Sequence, residues 1–222
     1  MNKRWLVPFA LSIAALPAGC GDSGEPRSAP NVETRAAGAA APPGFVTRVV
    51  KEQGFSVALP KSWRSVDAHQ ALSTRMKEFR KANPQIGRQI EALAQPNSPI
   101  KLLAIGPRVG GFTTNLNVIV TRIPASVGFA DWTAAEIANI RKVTRVARVK
   151  REDLQMNPGR AVHLTYQARF TSPRGPFASF VHQYMVKNDG FLYILTYSTL
   201  PSAEPRYRDT FAASARSFRL VG

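Results

Sequence analysis

The stretch from Arg160 to Thr199 constrains the fold more than any other part of the chain. From Ala161 to Phe170 the even positions, Val162, Leu164, Tyr166, Ala168 and Phe170, are apolar, and the odd ones, His163, Thr165, Gln167 and Arg169, are polar. A period of two is what a half-buried strand requires, because successive side chains point to opposite faces. Thr171-Ser-Pro-Arg-Gly-Pro176 is turn chemistry. A second run spans Ala178 to Lys187. Asn188-Asp189-Gly190 follows, a hairpin sequence in which Asp-Gly tolerates the positive φ of a tight turn. A third run, Phe191 to Thr199, is rich in Tyr, Phe, Ile and Thr. Three antiparallel strands in a meander are predicted, the floor of one sheet.

The other elements are read against that floor. Phe45 to Val50 and Phe55 to Leu59 bracket Lys51-Glu52-Gln53-Gly54 as a hairpin, with Trp63 a core aromatic closing its second strand. Leu72, Met76 and Phe79 fall on one face of a helix over 69–82. Pro84 stops that helix and suits the first turn of the next, on which Ile86, Ile90 and Leu93 repeat the spacing. Ile100 to Ile105 and Asn115 to Ile123 read as strands with a loop at Gly106 to Gly111 between them. The second has apolar residues on both faces, as a central strand covered on both sides does. Asp131 is a candidate N-cap for a helix to about Thr144, with Trp132, Ile137, Ile140 and Val143 on its apolar stripe. A last helix from Glu204 to Ser217 turns Tyr207, Phe211 and Phe218 inward. Helices mixed with a hairpin-rich C-terminal half predict the α+β class, one antiparallel sheet with helices packed on it.

The front of the chain reads differently. Lys3 and Arg4 precede an apolar run from Trp5 to Leu16, the form of a secretory signal peptide and too short to span a membrane. It ends in Leu16-Pro17-Ala18-Gly19-Cys20, which resembles the lipobox of bacterial lipoproteins. That resemblance implies cleavage before Cys20, a diacylglycerol thioether on its sulfur and acylation of the new amino terminus. Two or three acyl chains anchor stably where one holds only marginally. Cys20 is the single cysteine, so an intramolecular disulfide and a cysteine-rich metal site are both excluded. Gly21 to Gly44 is rich in Gly, Ala, Pro and Ser and reads as a flexible tether. The expected organisation is a signal peptide over 1–19, a tether over 20–44 and one domain over 45–222. The expected location is the exported side of a bacterial membrane, in the cell envelope.

The formal net charge of +16 directs the search for a site toward anionic partners. Arg141, Lys142, Arg145, Arg148, Lys150 and Arg151 place six cations in eleven residues without an acid. Part of this complements the dipole at a helix C-terminus. It is still the densest basic patch, and the candidate surface for a protein or an anionic envelope component. Arg75, Lys77, Arg80, Lys81 and Arg88 form a second basic face. Nucleic acid is not an expected partner, since an exported location supplies little of it.

No catalytic constellation is legible. The sequence lacks G-x-S-x-G, H-E-x-x-H and a phosphate-binding glycine fingerprint, and its carboxylates are few and scattered. A turn centred near Arg174 sets His163 opposite residue 186 and His182 opposite residue 167. The two imidazoles are then about 13 Å apart, too far to share a metal. His163 falls on the polar face of its strand and His182 on a mainly apolar one. No metal and no cofactor are expected, and the chain is expected not to be an enzyme.

Several segments together resemble the PsbP-like proteins of the Mog/PsbP/LpqN type. They are Gly54-Phe-Ser-Val-Ala-Leu-Pro-Lys-Ser-Trp63, Asn115-Leu-Asn-Val-Ile-Val120, Phe180 to Ser198 with its Lys187-Asn-Asp-Gly190 hairpin, and Tyr207 to Phe218. The resemblance covers most of 45–220. It implies an α/β/α sandwich, a central antiparallel sheet flanked by helices, and a non-catalytic binding or assembly module. The alternative function is a carrier or sensor of a small apolar ligand held between sheet and helices.

Overall fold

The computed structural model describes residues 33–34, 41–68, 95, 98–124, 126–172 and 175–221. The strands are β1 (Glu33–Thr34), β2 (Phe45–Val50), β3 (Phe55–Pro60), β4 (Arg64–Val66), β5 (Ile100–Val109), β6 (Phe112–Arg122), β7 (Lys150–Met156), β8 (Gly159–Ser172), β9 (Gly175–Asn188), β10 (Phe191–Thr199) and β11 (Arg219–Leu220). The helices are α1 (Phe129–Thr144) and α2 (Glu204–Arg216). The helices expected over 69–82 and after Pro84, with their basic face, lie outside the described residues, as does Cys20.

The main sheet has seven antiparallel strands in the order β4-β5-β6-β10-β9-β8-β7. The expected meander is its β8-β9-β10 portion. As anticipated, β6 is interior, between β5 and β10, and is buried on both faces. Leu116, Val118 and Val120 enter one core and Ile119 the other. A smaller sheet, β1-β2-β3-β11, contains the expected hairpin. Its connection is a single 3-10 turn closed by Gly54 at φ 63°, a left-handed conformation that suits glycine.

Two cores sandwich the main sheet. On one face α1 sets Trp132, Ile140 and Val143 against Val162, Leu164 and Met185. On the other, α2 and the β2-β3 hairpin bring Phe211, Phe55 and Trp63 onto Tyr184, Leu195 and Tyr197. Each such large side chain contributes about 1.5–3 kcal/mol on leaving water. The central antiparallel sheet is therefore flanked by helices on both faces. One flanking layer departs from a plain α/β/α sandwich, because a helix and a small sheet share it.

Two local expectations are corrected. First, β5 does not end at Ile105 but runs through Gly106 and Pro107 to Val109, with a register shift between Ile105 and Arg108. Gly106 has no room for a side chain because the Trp63 indole lies on it. A Cβ at Gly106 would sit 2.5 Å from Trp63 Cε2. Second, the N-cap of α1 is Gly128, and Asp131 lies inside the first turn, where its charge favours the helix dipole. The segment 150–156, given no element above, is a strand, β7, at the sheet edge. Its alternation is masked because both faces carry charge, a common guard against edge-to-edge pairing.

Candidate functional site

The turn between β8 and β9 is tighter than the sequence reading placed it. Ser172 pairs with Gly175, so His163 lies opposite Tyr184 and His182 opposite Thr165. The two histidines become diagonal neighbours, a spacing within reach of long side chains. His163 Nε2 lies 3.1 Å from His182 Nδ1. The expected separation of about 13 Å and the expected placement on different faces are both corrected. Both rings stand on the α2 side of the sheet, where Phe180 and Tyr184 supply the apolar neighbours that disguised the face.

The histidines belong to a longer chain of polar groups. On its first turn α2 carries Glu204, which Arg208 one turn later grips through Nε at 2.7 Å and Nη2 at 2.8 Å. That two-pronged grip holds the Glu204 carboxyl below its ordinary range, against the opposing effect of burial. His182 Nε2 lies 3.1 Å from Glu204 Oε1. At the other end His163 Nδ1 lies 3.7 Å from Glu152 Oε2 on β7. Tyr184 stacks on His163 with centroids 4.2 Å apart and planes 4° from parallel. Burial comes first in lowering both imidazoles. It takes His163 down to about 4, with the neighbouring His182 adding to the effect, and lowers His182 despite Glu204 beside it. Burial also pushes the Tyr184 hydroxyl up to about 12.

This chain floors a groove of about 500 Å³ between α2 and strands β7 to β9. Leu154, Met156, Phe180, Ala212 and Ala215 form its apolar walls, and Lys150, Arg208 and Arg216 its cations. On the opposite face of the sheet Gln183 bridges Tyr166 at 3.2 Å and the buried Glu136 of α1 at 2.9 Å. Among the described residues, no group of three or more His, Cys, Asp or Glu side chains is arranged to hold a metal ion.

The six expected cations lie along the end of α1, the connection after it and the start of β7, and all are exposed. They do not share one face. Lys150 lines the groove on the α2 side. Arg151, opposite the inward Leu164, points to the α1 side and pairs with Asp153 at 2.8 Å. Arg145 occupies the left-handed C-cap of α1 at φ 54°. The sequence reading missed Glu152, Tyr184, Glu204, Arg208 and Arg216. The Glu204–Arg208 spacing of four was legible as a helical pair, but nothing local places that pair against His182.

No protein-family model and no curated protein matches the chain. Solved structures do. Cyanobacterial PsbP (CyanoP) of Synechocystis sp. PCC 6803 matches with TM-score 0.51 at 15% identity, over 84% of this chain and 98% of its own. LpqN of Mycobacterium tuberculosis, described as involved in cell envelope biogenesis, matches with TM-score 0.47 at 8% identity, over 76% of this chain and 83% of its own. The Saccharomyces cerevisiae Ran-binding protein Mog1p matches with TM-score 0.48 at 6% identity, over 80% and 95%. At these identities the likeness concerns architecture alone, and the CyanoP match carries it: the described chain has the PsbP-like fold.

Proposed function

We propose that this chain is a lipid-anchored protein of a bacterial cell envelope that acts as a non-catalytic binding module. The anchor is the acylated Cys20, the expected tether over 20–44 is interrupted by β1, which pairs with β2, and the module is the PsbP-like domain. Its partner is a protein or an anionic envelope component that meets Arg141, Lys142, Arg145, Arg148, Lys150 and Arg151. One observation carries this reading: all six cations are exposed, and of the six only Arg151 has an ion-pair partner among the described residues. Such a surface attracts anions over a Debye length of about 8 Å at physiological salt.

The test is cross-linking in intact cells followed by capture of the full chain. Reversing Arg141, Lys142, Arg145 and Arg148 to glutamate is expected to abolish the specific cross-link. Undiminished capture after reversal refutes the basic-surface assignment. A second reading, a carrier or sensor of a small ligand, is favoured by the groove between sheet and α2. The lining modifies the original expectation, since a ligand there meets charged groups as well as apolar walls.

A further inference from the structure

The hydrogen-bond chain across the groove has a fixed direction. Glu204 is ionised under the two-pronged grip of Arg208 and can only accept. His182 Nε2 must therefore donate to it. A neutral His182 then keeps its lone pair on Nδ1 and accepts from His163 Nε2–H. That leaves the lone pair of His163 on Nδ1, aimed at the Glu152 carboxylate 3.7 Å away. Two acceptors face each other with no donor between them. Protonating His163 would supply one, but burial holds that imidazole down to about 4. Glu152 is exposed and takes its donor from water in the free protein, so a molecule that displaces that water must bring a donor of its own.

The surroundings specify what brings it. Lys150 and Arg216 line the groove together with His163 and Tyr184. Among the described residues neither cation has an ion-pair partner. Facing His163 and Tyr184 are therefore Lys150 and Glu152 from β7, His182 from β9, and Glu204, Arg208 and Arg216 from α2. A simple amine would meet those cations unfavourably, and a simple anion would meet the two acceptors unfavourably. A molecule bearing both a donor and an anion satisfies both sets. Leu154, Met156 and Phe180 offer an apolar wall beside them. The volume, about 500 Å³, lies in the usual range for small-molecule sites.

We propose that the groove between α2 and β7–β9 is a binding site for a small zwitterion of the amino-acid class, its ammonium seated between His163 Nδ1 and Glu152 and its carboxylate facing Lys150 and Arg216. This deepens and rests on the second reading above, and of the six basic-surface cations it uses Lys150 alone.

The experiment uses the full chain in detergent, with 15N-labelled histidine followed by long-range NMR at neutral pH. The probes are the common amino acids, amine and carboxylic-acid analogues of the tightest binder, and Nile red as an apolar probe. Binding of at least one amino acid is expected, with a shift of the His163 Nδ1 signal. Removing either its ammonium or its carboxylate is expected to weaken binding at least about tenfold, as losing a charged hydrogen bond does. Glu152→Gln and Lys150→Ala, both at exposed positions, are expected to weaken binding by a similar factor. If no amino acid moves His163, the proposal is overturned. It is equally overturned if a stripped analogue binds as well as its parent. Should Nile red alone move His163, the zwitterion proposal falls while the small-ligand reading stands. If neither class binds, both fall.

Discussion

Acid should weaken this fold through His163, and the size of the effect follows from its surroundings. The imidazole is 14% exposed, lies against Tyr184 and His182, and has Lys150 among its charged neighbours. In the unfolded chain it takes up a proton near the ordinary 6.5; in the folded chain it does so only near 4. Between those values the unfolded state holds more protons, so lowering the pH favours unfolding. The loss begins near 6.5 and is complete below 4. Integrating between about pH 7 and about pH 5 gives a loss of about 2 kcal/mol from this side chain alone. His182, also lowered by burial, adds a loss of the same sign. Urea unfolding at the two pH values, for the native chain and for His163→Gln, measures the effect. The native chain is expected to lose about 2 kcal/mol more than the variant over the interval. Comparing the pH dependence, not the absolute stabilities, cancels both the carboxylates common to the two proteins and the packing cost of the substitution. An identical pH dependence in both would refute the reasoning, because His163 would then titrate alike in folded and unfolded chains.

Other perturbations probe the packing and the anchor. Gly106→Ala places a methyl group against the buried Trp63 indole and is expected to cost about 1–3 kcal/mol in chemical denaturation. Ser214→Ala removes the hydroxyl that donates to Ala58 O at 2.6 Å and accepts from the Tyr197 hydroxyl at 2.9 Å. The loss of buried partners is expected to lower stability by about 1–3 kcal/mol, read as a reduced melting temperature. Gln183→Leu takes the amide away from Glu136 and Tyr166 and is expected to cost about 1–3 kcal/mol, again by urea unfolding. Cys20→Ser is expected to move the protein from the membrane to the soluble exported fraction, as cell fractionation would show.

The fold was largely legible because its signals are local. The alternation from Ala161 to Phe170, the Asp189-Gly190 turn and the two-sided apolar pattern around Val118 each report on a few neighbouring residues. Each reappears as β8, the β9-β10 turn and the interior β6. Expectation failed where distant parts of the chain decide. Gly106 lies in a strand that pairs with β6, and a distant indole at position 63 leaves no room there for a side chain. The charged segment 150–156 carries no local strand signal, and it pairs with β8 at the sheet edge.

The candidate site was far less legible, and one register explains why. Turn chemistry between Thr171 and Pro176 announces a reversal but not its length. A difference of two residues in pairing converts two distant histidines into a hydrogen-bonded pair. By itself, the sequence determined the antiparallel floor, the apolar faces, the lipobox-like cysteine and the cations, since each depends on composition or short-range periodicity. Only the tertiary structure decided that α2 would lower Glu204 and Arg208 onto His182 while β7 set Glu152 beside His163. Two of those contacts, Glu204 with His182 and Glu152 with His163, join residues from different elements, and no short-range pattern in the sequence brings such pairs together.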